Sequence, residues 1–303
     1  MKLRAPAKIN LGLRILGRRE DGYHRIDSVF LPLEWADELE LEDAPPGEVT
    51  FALTGQPEPE VPTGPENLAV RAARAFRAAA GPGPGVALRL NKQLPSGAGL
   101  GGGSSDAAAV LRGLAAREPE ALSREALAAV ALELGADVPY FLDPRPAHVR
   151  GIGEQIEPLA GIRPISILLA RAGAPLATSE VFQAFDRSPA EFGPASSLTP
   201  EGAEPTIRPL WALREEGGLV QAGPLLRGLL HNDLEPVAGS LRPEVAQLRR
   251  EIEESGALAA AMSGSGPVVY GLFEDEGRAT AAVVRFRERS EVSVTVTRTL
   301  ASP

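Results

Sequence analysis

Apolar residues recur along this chain with two periods, and each change of period marks an element. Over residues 8–16 the period is two. Ile9, Leu11, Leu13 and Ile15 share one face, and Lys8, Asn10, Gly12 and Arg14 share the other. The pattern predicts a strand that sets Lys8 and Asn10 side by side, and a solvated edge strand gives the same alternation. Asp21-Gly22 is a turn signal, and strands are predicted over 26–35, 37–41 and 48–53. A proline-rich loop covers 55–65. The period then turns helical over 66–79, with Leu68, Ala72, Ala75, Phe76 and Ala79 on one side. Val86, Leu88 and Leu90 alternate as a strand, 106–114 is rich in helix formers, and 123–134 is a helix with Ser123 as its N-cap. Asp137, just before Pro139 and an apolar run, is the expected cap of another helix. Turn chemistry marks 143–146 and 151–161.

A domain boundary is expected near residue 157, giving domains 1–157 and 158–303. The second half reads as a strand over 165–170 and a short helix over 178–185, capped by Thr178 or Ser179. A loop over 188–205 and two or three helices up to Ser255 follow, and Gly256 stands just past the last helix end. Strands at 258–262 and 268–273, a helix at 277–289 and a strand at 291–297 make half of a split βαβ sheet. The class is α/β (α+β).

Between the strand at 86–90 and the helix at 106 lies P-S-G-A-G-L-G-G-G-S-S-D, residues 95–106. Glycine lets another group approach the backbone closely. A glycine loop that feeds a helix aims bare N–H groups and the positive helix end at one point, an anion site suited to phosphate. A flexible linker is the bland alternative, but linkers do not usually end in an alanine-rich helix. No Gly-Lys-Ser/Thr follows, so the loop is not a Walker A motif. Gly97, Gly99 and Gly102 fit G-x-G-x-x-G, yet the acidic strand-end residue of a dinucleotide fold is missing. Protein-kinase H-R-D and D-F-G motifs are absent. A second glycine turn, S-G-S-G-P, occupies 263–267.

Composition narrows the chemistry. The 303 residues contain no cysteine, which excludes disulfides and thiolate metal sites and fits a reducing cytoplasm. A net charge of −9 argues against a nucleic-acid partner. No apolar run is long enough for a membrane span, and the N-terminus has no signal-peptide core. Only three of the 31 basic residues are lysine (Lys2, Lys8, Lys92), and only Asn10, Asn67, Asn91 and Asn232 are asparagine. Scarce thermolabile residues and many prolines suit a thermophile, and a GC-rich genome favours the same composition. In such a background a lysine invites a question, because arginine's planar fork does not mimic its compact charge.

P-A-K-I-N-L-G-L at 6–13, the glycine loop and S-G-S-G-P resemble the three motifs of the GHMP small-molecule kinases. Within them, R-x-D-G-Y-H-x-I at 19–26 and A-D-V-P at 136–139 resemble the branch whose acceptor is a cytidine diphosphate ester of methylerythritol, in the non-mevalonate isoprenoid pathway. The resemblance spans nearly the whole chain. It implies an N-terminal domain like ribosomal protein S5 domain 2, a ferredoxin-like C-terminal domain, and ATP and acceptor meeting in a cleft between them. It implies Lys8 and Asp137 as the catalytic pair. Pro95, Ser96, Gly97, Ala98, Gly99, Leu100, Gly101, Gly102, Gly103, Ser104 and Ser105 would wrap the ATP phosphates, with Ser104 or Ser105 near Mg²⁺. Asn67 would lie beside the adenine, Tyr23, His24 and Phe182 would form a cytosine pocket, and Asn10 would sit near the erythritol. The chain departs from the family at 143–146, where D-P-R-P replaces a small glycine-rich turn. An oxidoreductase and a non-catalytic nucleotide sensor are the rivals from other classes. The missing strand-end acid speaks against the first, and the presence of both Lys8 and Asp137 against the second. A relative with a homoserine, mevalonate or galactose type acceptor is the nearest alternative. Oligomeric state is left open.

Overall fold

Two long, mutually paired strands, β1 (Lys2–Arg18) and β2 (His24–Ala44), dominate the computed structural model. It describes residues 1–55, 61–187, 213–214, 220–221, 226 and 230–301. The separate strands expected over 26–35 and 37–41 are therefore one. Asp37 does not interrupt it, because its carboxylate accepts the N–H groups of Gln93 and Leu94 and pairs with Lys92. Nor is β1 a solvated edge, since Lys8 and Asn10 are buried along with Ile9 between them.

The chain divides into two units, each drawn from several segments. One comprises Met1–Ala7, Trp35–Ser96 and Gly101–Pro144; the other comprises Lys8–Glu34, Gly97–Leu100 and Arg145–Pro303. In the first, the distal half of β2 pairs antiparallel with β4 (Gly85–Lys92), which pairs in parallel with β3 (Val49–Gly55). Helix α1 (Leu68–Ala80) connects the parallel pair, as parallel strands require. Its buried stripe is Ala69, Val70, Ala72, Ala73 and Phe76, so Ala79 faces solvent, contrary to the sequence pattern. Alanines sit on several sides of α1, and their spacing alone does not show which side is covered. Helices α2 (Gly102–Arg117) and α3 (Arg124–Leu134) pack with α1. Ser123 caps α3 as expected, its Oγ accepting the Ala126 N–H at 3.2 Å. Helix α2 begins at Gly102, four residues earlier than expected.

Asp137 is not a helix cap. Only a single 3-10 turn, Tyr140–Leu142, follows it, with Pro139 at the cap position and no side-chain cap bond. Burial of Tyr140 and Phe141 anchors this turn.

In the second unit the proximal half of β2 pairs with β5 (Ala147–Gly151), and β5 with β6 (Gln155–Pro158). The stretch expected to be turn over 151–161 thus carries a strand, too short for alternation to reveal. The strands β7 (Ser166–Ala172), β8 (Ala259–Met262), β9 (Val269–Phe273) and β10 (Val292–Arg298) form an antiparallel sheet in the order β10-β7-β9-β8. This is the ferredoxin-like order. Before β8 come α4 (Thr178–Arg187), α5 (Glu235–Leu241) and α6 (Pro243–Glu254), and after β9 comes α7 (Glu276–Ala282). Helices α6 and α7 pack on the sheet. Gly256 follows α6 with φ +98°, as its sequence position implied. Helix α7 ends sooner than predicted and runs on as a 3-10 turn, Val283–Phe286. The loop expected over 188–205 lies outside the described residues, as do 206–212, 215–219, 222–225 and 227–229 of the helical stretch expected after it, whose last part carries α5 and α6.

Candidate functional site

Strand β4 delivers the chain into the glycine loop, and in the first unit a buried ionic cluster fixes both flanks of that loop. Lys92 Nζ donates to Asp37 Oδ2 at 2.5 Å and to Asp106 Oδ2 at 2.9 Å. Asp37 Oδ1 accepts the N–H groups of Gln93 at 2.6 Å and Leu94 at 2.8 Å, which holds the residues just before Pro95. Asp106 lies in the second turn of α2, and a side chain added at Gly102 would meet Lys92 Nζ at 3.2 Å. Three ionisable groups share this dry space. Burial, helped by the charge of Asp37 and opposed by Lys92, pushes the Asp106 carboxyl up to about 7. Burial works against the Lys92 charge, yet Asp106 and Asp37 outweigh it and hold the ammonium above its ordinary value.

Gly101 caps α2 in the left-handed conformation at φ +71° and, being glycine, makes no side-chain cap bond. The N–H groups at this helix start are where the sequence leads an anion to be expected. Ser104 is half-buried. Ser105 is fully buried, and its Oγ has no hydrogen-bond partner. A buried hydroxyl left over beside the glycine loop fits a Mg²⁺ ion, a hard cation that takes oxygen ligands. Among the described residues no cluster of three His, Cys, Asp or Glu side chains is arranged to hold a metal.

Asn67 has a clear local task. Its Oδ1 caps α1 by accepting the Ala69 N–H at 2.9 Å, and its Nδ2 donates to Pro62 O at 2.7 Å. Asp137 is half-buried in the turn before Tyr140. Burial and, after it, the Asp137 charge push the Tyr140 phenol well above its ordinary value.

In the second unit β1 sets Lys8 and Asn10 on one buried face, as its alternation predicted. Lys8 Nζ donates to Asn10 Oδ1 at 2.6 Å and to Gly99 O at 3.2 Å, and it lies 4.8 Å from the centre of the Phe30 ring. The backbone N–H of Lys8 donates to Leu100 O at 3.0 Å. Asn10 Nδ2 donates to Ser28 Oγ, which donates to Gly12 O. The glycine segment Gly97–Leu100 is thus tied to β1 by the lysine's side chain and backbone alike. The second glycine turn also contributes. Ser263 Oγ donates to Gly99 O at 3.0 Å and accepts the Asn10 N–H at 3.3 Å. A Cβ on Gly99 would stand 2.1 Å from Ser263 O, so these two backbones approach as only glycine permits.

Tyr23 follows the Asp21-Gly22 turn, closed by Asp21 Oδ1 accepting the Tyr23 N–H, and its side chain is largely exposed at 56%. His24 stacks on Phe182, with ring centres 4.7 Å apart and planes 26° apart. His24 Nε2 meets Asp186 Oδ1 at 2.7 Å, and Arg18 also reaches that carboxylate. Two of the three aromatic residues expected to line a base pocket are therefore in contact. Helix α4 carries both Phe182 and Asp186, one turn apart.

Sequence reasoning missed Asp37, Asp106, Asp186 and Asn232, and gave Lys92 no role. Two of these carried a signal, since Lys92 and Asn232 belong to the rarest polar residue types in the chain.

The family model for the GHMP kinases N terminal domain matches residues 67–143, and that for the GHMP kinases C terminal matches 210–291. The chain is 38% identical, over 97% of its length and 96% of the relative's, to the 4-diphosphocytidyl-2-C-methyl-D-erythritol kinase of Pelotomaculum thermopropionicum. It is 39% identical to the enzyme of the same name from Symbiobacterium thermophilum, over 96% of each chain. A crystal structure of 4-(cytidine 5'-diphospho)-2C-methyl-D-erythritol kinase superposes with a TM-score of 0.75 and 36% identity, covering 99% of this chain and 100% of that one.

Proposed function

The chain belongs to the GHMP kinases, and within them to the 4-diphosphocytidyl-2-C-methyl-D-erythritol kinases; from that premise we propose that it moves the γ-phosphoryl group of ATP onto the 2-hydroxyl of 4-diphosphocytidyl-2-C-methyl-D-erythritol. The new bond joins the acceptor's 2-oxygen to the γ-phosphorus. The bond to the β,γ-bridging oxygen breaks and ADP leaves. The hydroxyl proton passes to Asp137.

Phosphoryl transfer goes through a loose transition state, so positioning and charge stabilisation dominate the catalysis. The N–H groups at the start of α2, bare behind Gly101, take the β- and γ-oxygens. Ser105 Oγ would help hold Mg²⁺, which would supply charge neutralisation for the phosphates. Lys8 keeps its ammonium among oxygen acceptors and offers it to the transferring group, and Asn10 orients the acceptor's polyol. Asn67 borders the adenine through the cap it makes at α1. The cytosine packs against Tyr23 and Phe182, and His24, braced by Asp186, reads its edge. No helix among the described residues is long and apolar enough to cross a membrane. A cysteine-free chain acting on ATP suits the cytoplasm.

The observation that carries this reading is the bond from Lys8 to Gly99, which couples the predicted catalytic lysine to the predicted phosphate loop within one buried network. The test is ADP release from ATP with a panel of acceptors. Release should require the diphosphocytidyl acceptor, CMP should compete with it, and UMP should compete less well. Stacking on an aromatic ring contributes roughly 1–3 kcal/mol, so Tyr23→Ala should raise the acceptor KM by about 10- to 100-fold and leave the ATP KM in place. Equal competition by CMP and UMP leaves a GHMP kinase with another alcohol acceptor.

A further inference from the structure

The segment His231, Asn232, Asp233 lies far in sequence from every glycine motif, yet it is bonded to both a catalytic strand and a glycine turn. Its backbone brackets β1. Leu13 N–H donates to His231 O at 2.8 Å, Asp233 N–H donates to Leu13 O at 2.9 Å, and the Asp233 carboxylate accepts the Ile15 N–H. The Asn232 side chain points the other way in the network. It is 3% exposed, and Nδ2 donates to Met262 O and to Gly264 O, both at 2.9 Å. Its Oδ1 accepts the Leu234 N–H at 2.9 Å. Every polar atom of the amide group is used. Glu235 grips the same turn from the other side, accepting the Met262 N–H at 2.8 Å.

Between the two carbonyls that Asn232 holds stands Ser263. This hydroxyl donates to Gly99 O and accepts the Asn10 N–H, and Gly99 O in turn accepts Lys8 Nζ. We propose that Asn232 is a positioning residue for phosphoryl transfer: by clamping the carbonyls on either side of Ser263 it fixes the hydroxyl that sets Gly99, and through Gly99 it fixes where the Lys8 ammonium points. This rests on the kinase reading above, and on the role given there to Lys8.

The chemistry explains the residue type. One planar group must donate two hydrogen bonds to diverging carbonyls and accept one from the following turn, and only a primary amide does all three. Serine or aspartate at this place still caps the Leu234 turn, since both are good acceptors there. Serine cannot bridge two carbonyls, and a carboxylate would face them with like partial charge. The two substitutions therefore separate the clamp from the cap.

The test compares Asn232→Ser, Asn232→Asp, Ser263→Ala and the Asn232→Ser/Ser263→Ala pair in steady-state kinetics on the full chain. Asn232→Ser should lower kcat by about 10- to 100-fold with the ATP and acceptor KM values changed less than about threefold. Ser263→Ala should lower kcat to a similar degree, and the double variant should be no slower than the slower single one, because both act along one path. Amide hydrogen exchange should rise at residues 263–266 and at the Lys8 N–H in Asn232→Ser, with the β7–β9 ladder unchanged. A near-normal kcat in either single variant, or kcat losses that multiply in the double one, overturns the proposal. So does a loss that matches the fall in melting temperature without the local rise in exchange. Should Asn232→Ser fail to fold, Ser263→Ala decides alone, since it leaves the clamp intact. A parent protein that turns over no diphosphocytidyl acceptor refutes the functional reading instead.

Discussion

Replacing Asp106 by asparagine should make the protein more stable at neutral and mildly alkaline pH, by a difference that shrinks toward acid and vanishes below the ordinary carboxyl pKa. The cluster of Lys92, Asp37 and Asp106 contains one cation and two carboxylates with almost no access to water. Asp37 is well supplied, with the ammonium and two backbone N–H donors. Asp106 receives only Lys92, and its Oδ1 is buried without a partner. It is therefore the surplus charge, and its carboxyl rises from 3.8 to about 7 through burial first, with Asp37 adding to it. A carboxyl with a raised pKa holds its proton in the folded state at pH values where the unfolded chain has lost it. Stability from this group is complete below the unfolded pKa. It is lost as pH rises, and the loss levels off above the folded pKa. One pKa unit corresponds to about 1.4 kcal/mol, so moving from about pH 5 to about pH 8 should cost the parent on the order of 2 kcal/mol at this site. Asparagine resembles the protonated acid: it still accepts from Lys92, and its amide can donate to Asp37 as the protonated carboxyl does. Urea unfolding of both proteins at several pH values across that range measures the difference. A pH-independent difference, or an Asp106→Asn protein less stable than the parent at the alkaline end, refutes the argument.

Asp137→Asn should lower kcat by at least about 10²-fold with ATP affinity by calorimetry little changed, because only the proton acceptor is lost. Lys8→Arg should not restore activity, since a planar guanidinium does not fit the short distances from Nζ to Asn10 and Gly99; near-parental turnover would make Lys8 a generic cation. Gly99→Ala should abolish measurable ATP turnover in a protein with a native circular dichroism spectrum, because the new methyl group would stand 2.1 Å from Ser263 O and must push the loop aside. Unchanged turnover in that variant would show that the approach of Gly99 to Ser263 is not needed.

What could be read from the sequence was local. Alternation over 8–16 gave the strand and the Lys8–Asn10 pairing, because side-chain direction in a strand depends only on position parity. Ser123 and Gly256 were legible as helix ends, since a cap acts on its immediate neighbours. β2 was misread as two strands split at Ala36, because the partners that hold Asp37 within it lie about 55 residues away, beyond any local pattern. Asp137 was misread as a helix cap because the apolar run after Pro139 looks the same whether it forms a helix or a single buried turn. Asp186, and the task that the rare Asn232 performs, were out of reach for the same reason as Asp37. Each acts on residues that only the fold brings near.

The two missed clusters share a physical logic. A loop of glycines can approach phosphate because it has no side chains, and for the same reason it cannot hold its own shape. Ordering each of its residues costs about 1–2 kcal/mol of backbone entropy, and glycine has the most freedom to lose. The restraint must come from groups outside the loop that bind its backbone and its flanks. Asp37 supplies it before Pro95, Lys92 and Asp106 at the start of α2, and Ser263 and Lys8 at Gly99. At both places the cation is lysine, in a chain whose other basic residues are nearly all arginine. Lys92 Nζ must fit between two carboxylates beside the backbone of Gly102, and Lys8 Nζ between an amide oxygen and a carbonyl over the face of Phe30. Neither space admits a guanidinium without moving the glycines. The two buried lysines therefore meet the same requirement that fills the loop with glycine: a backbone held close to charge, with no room to spare.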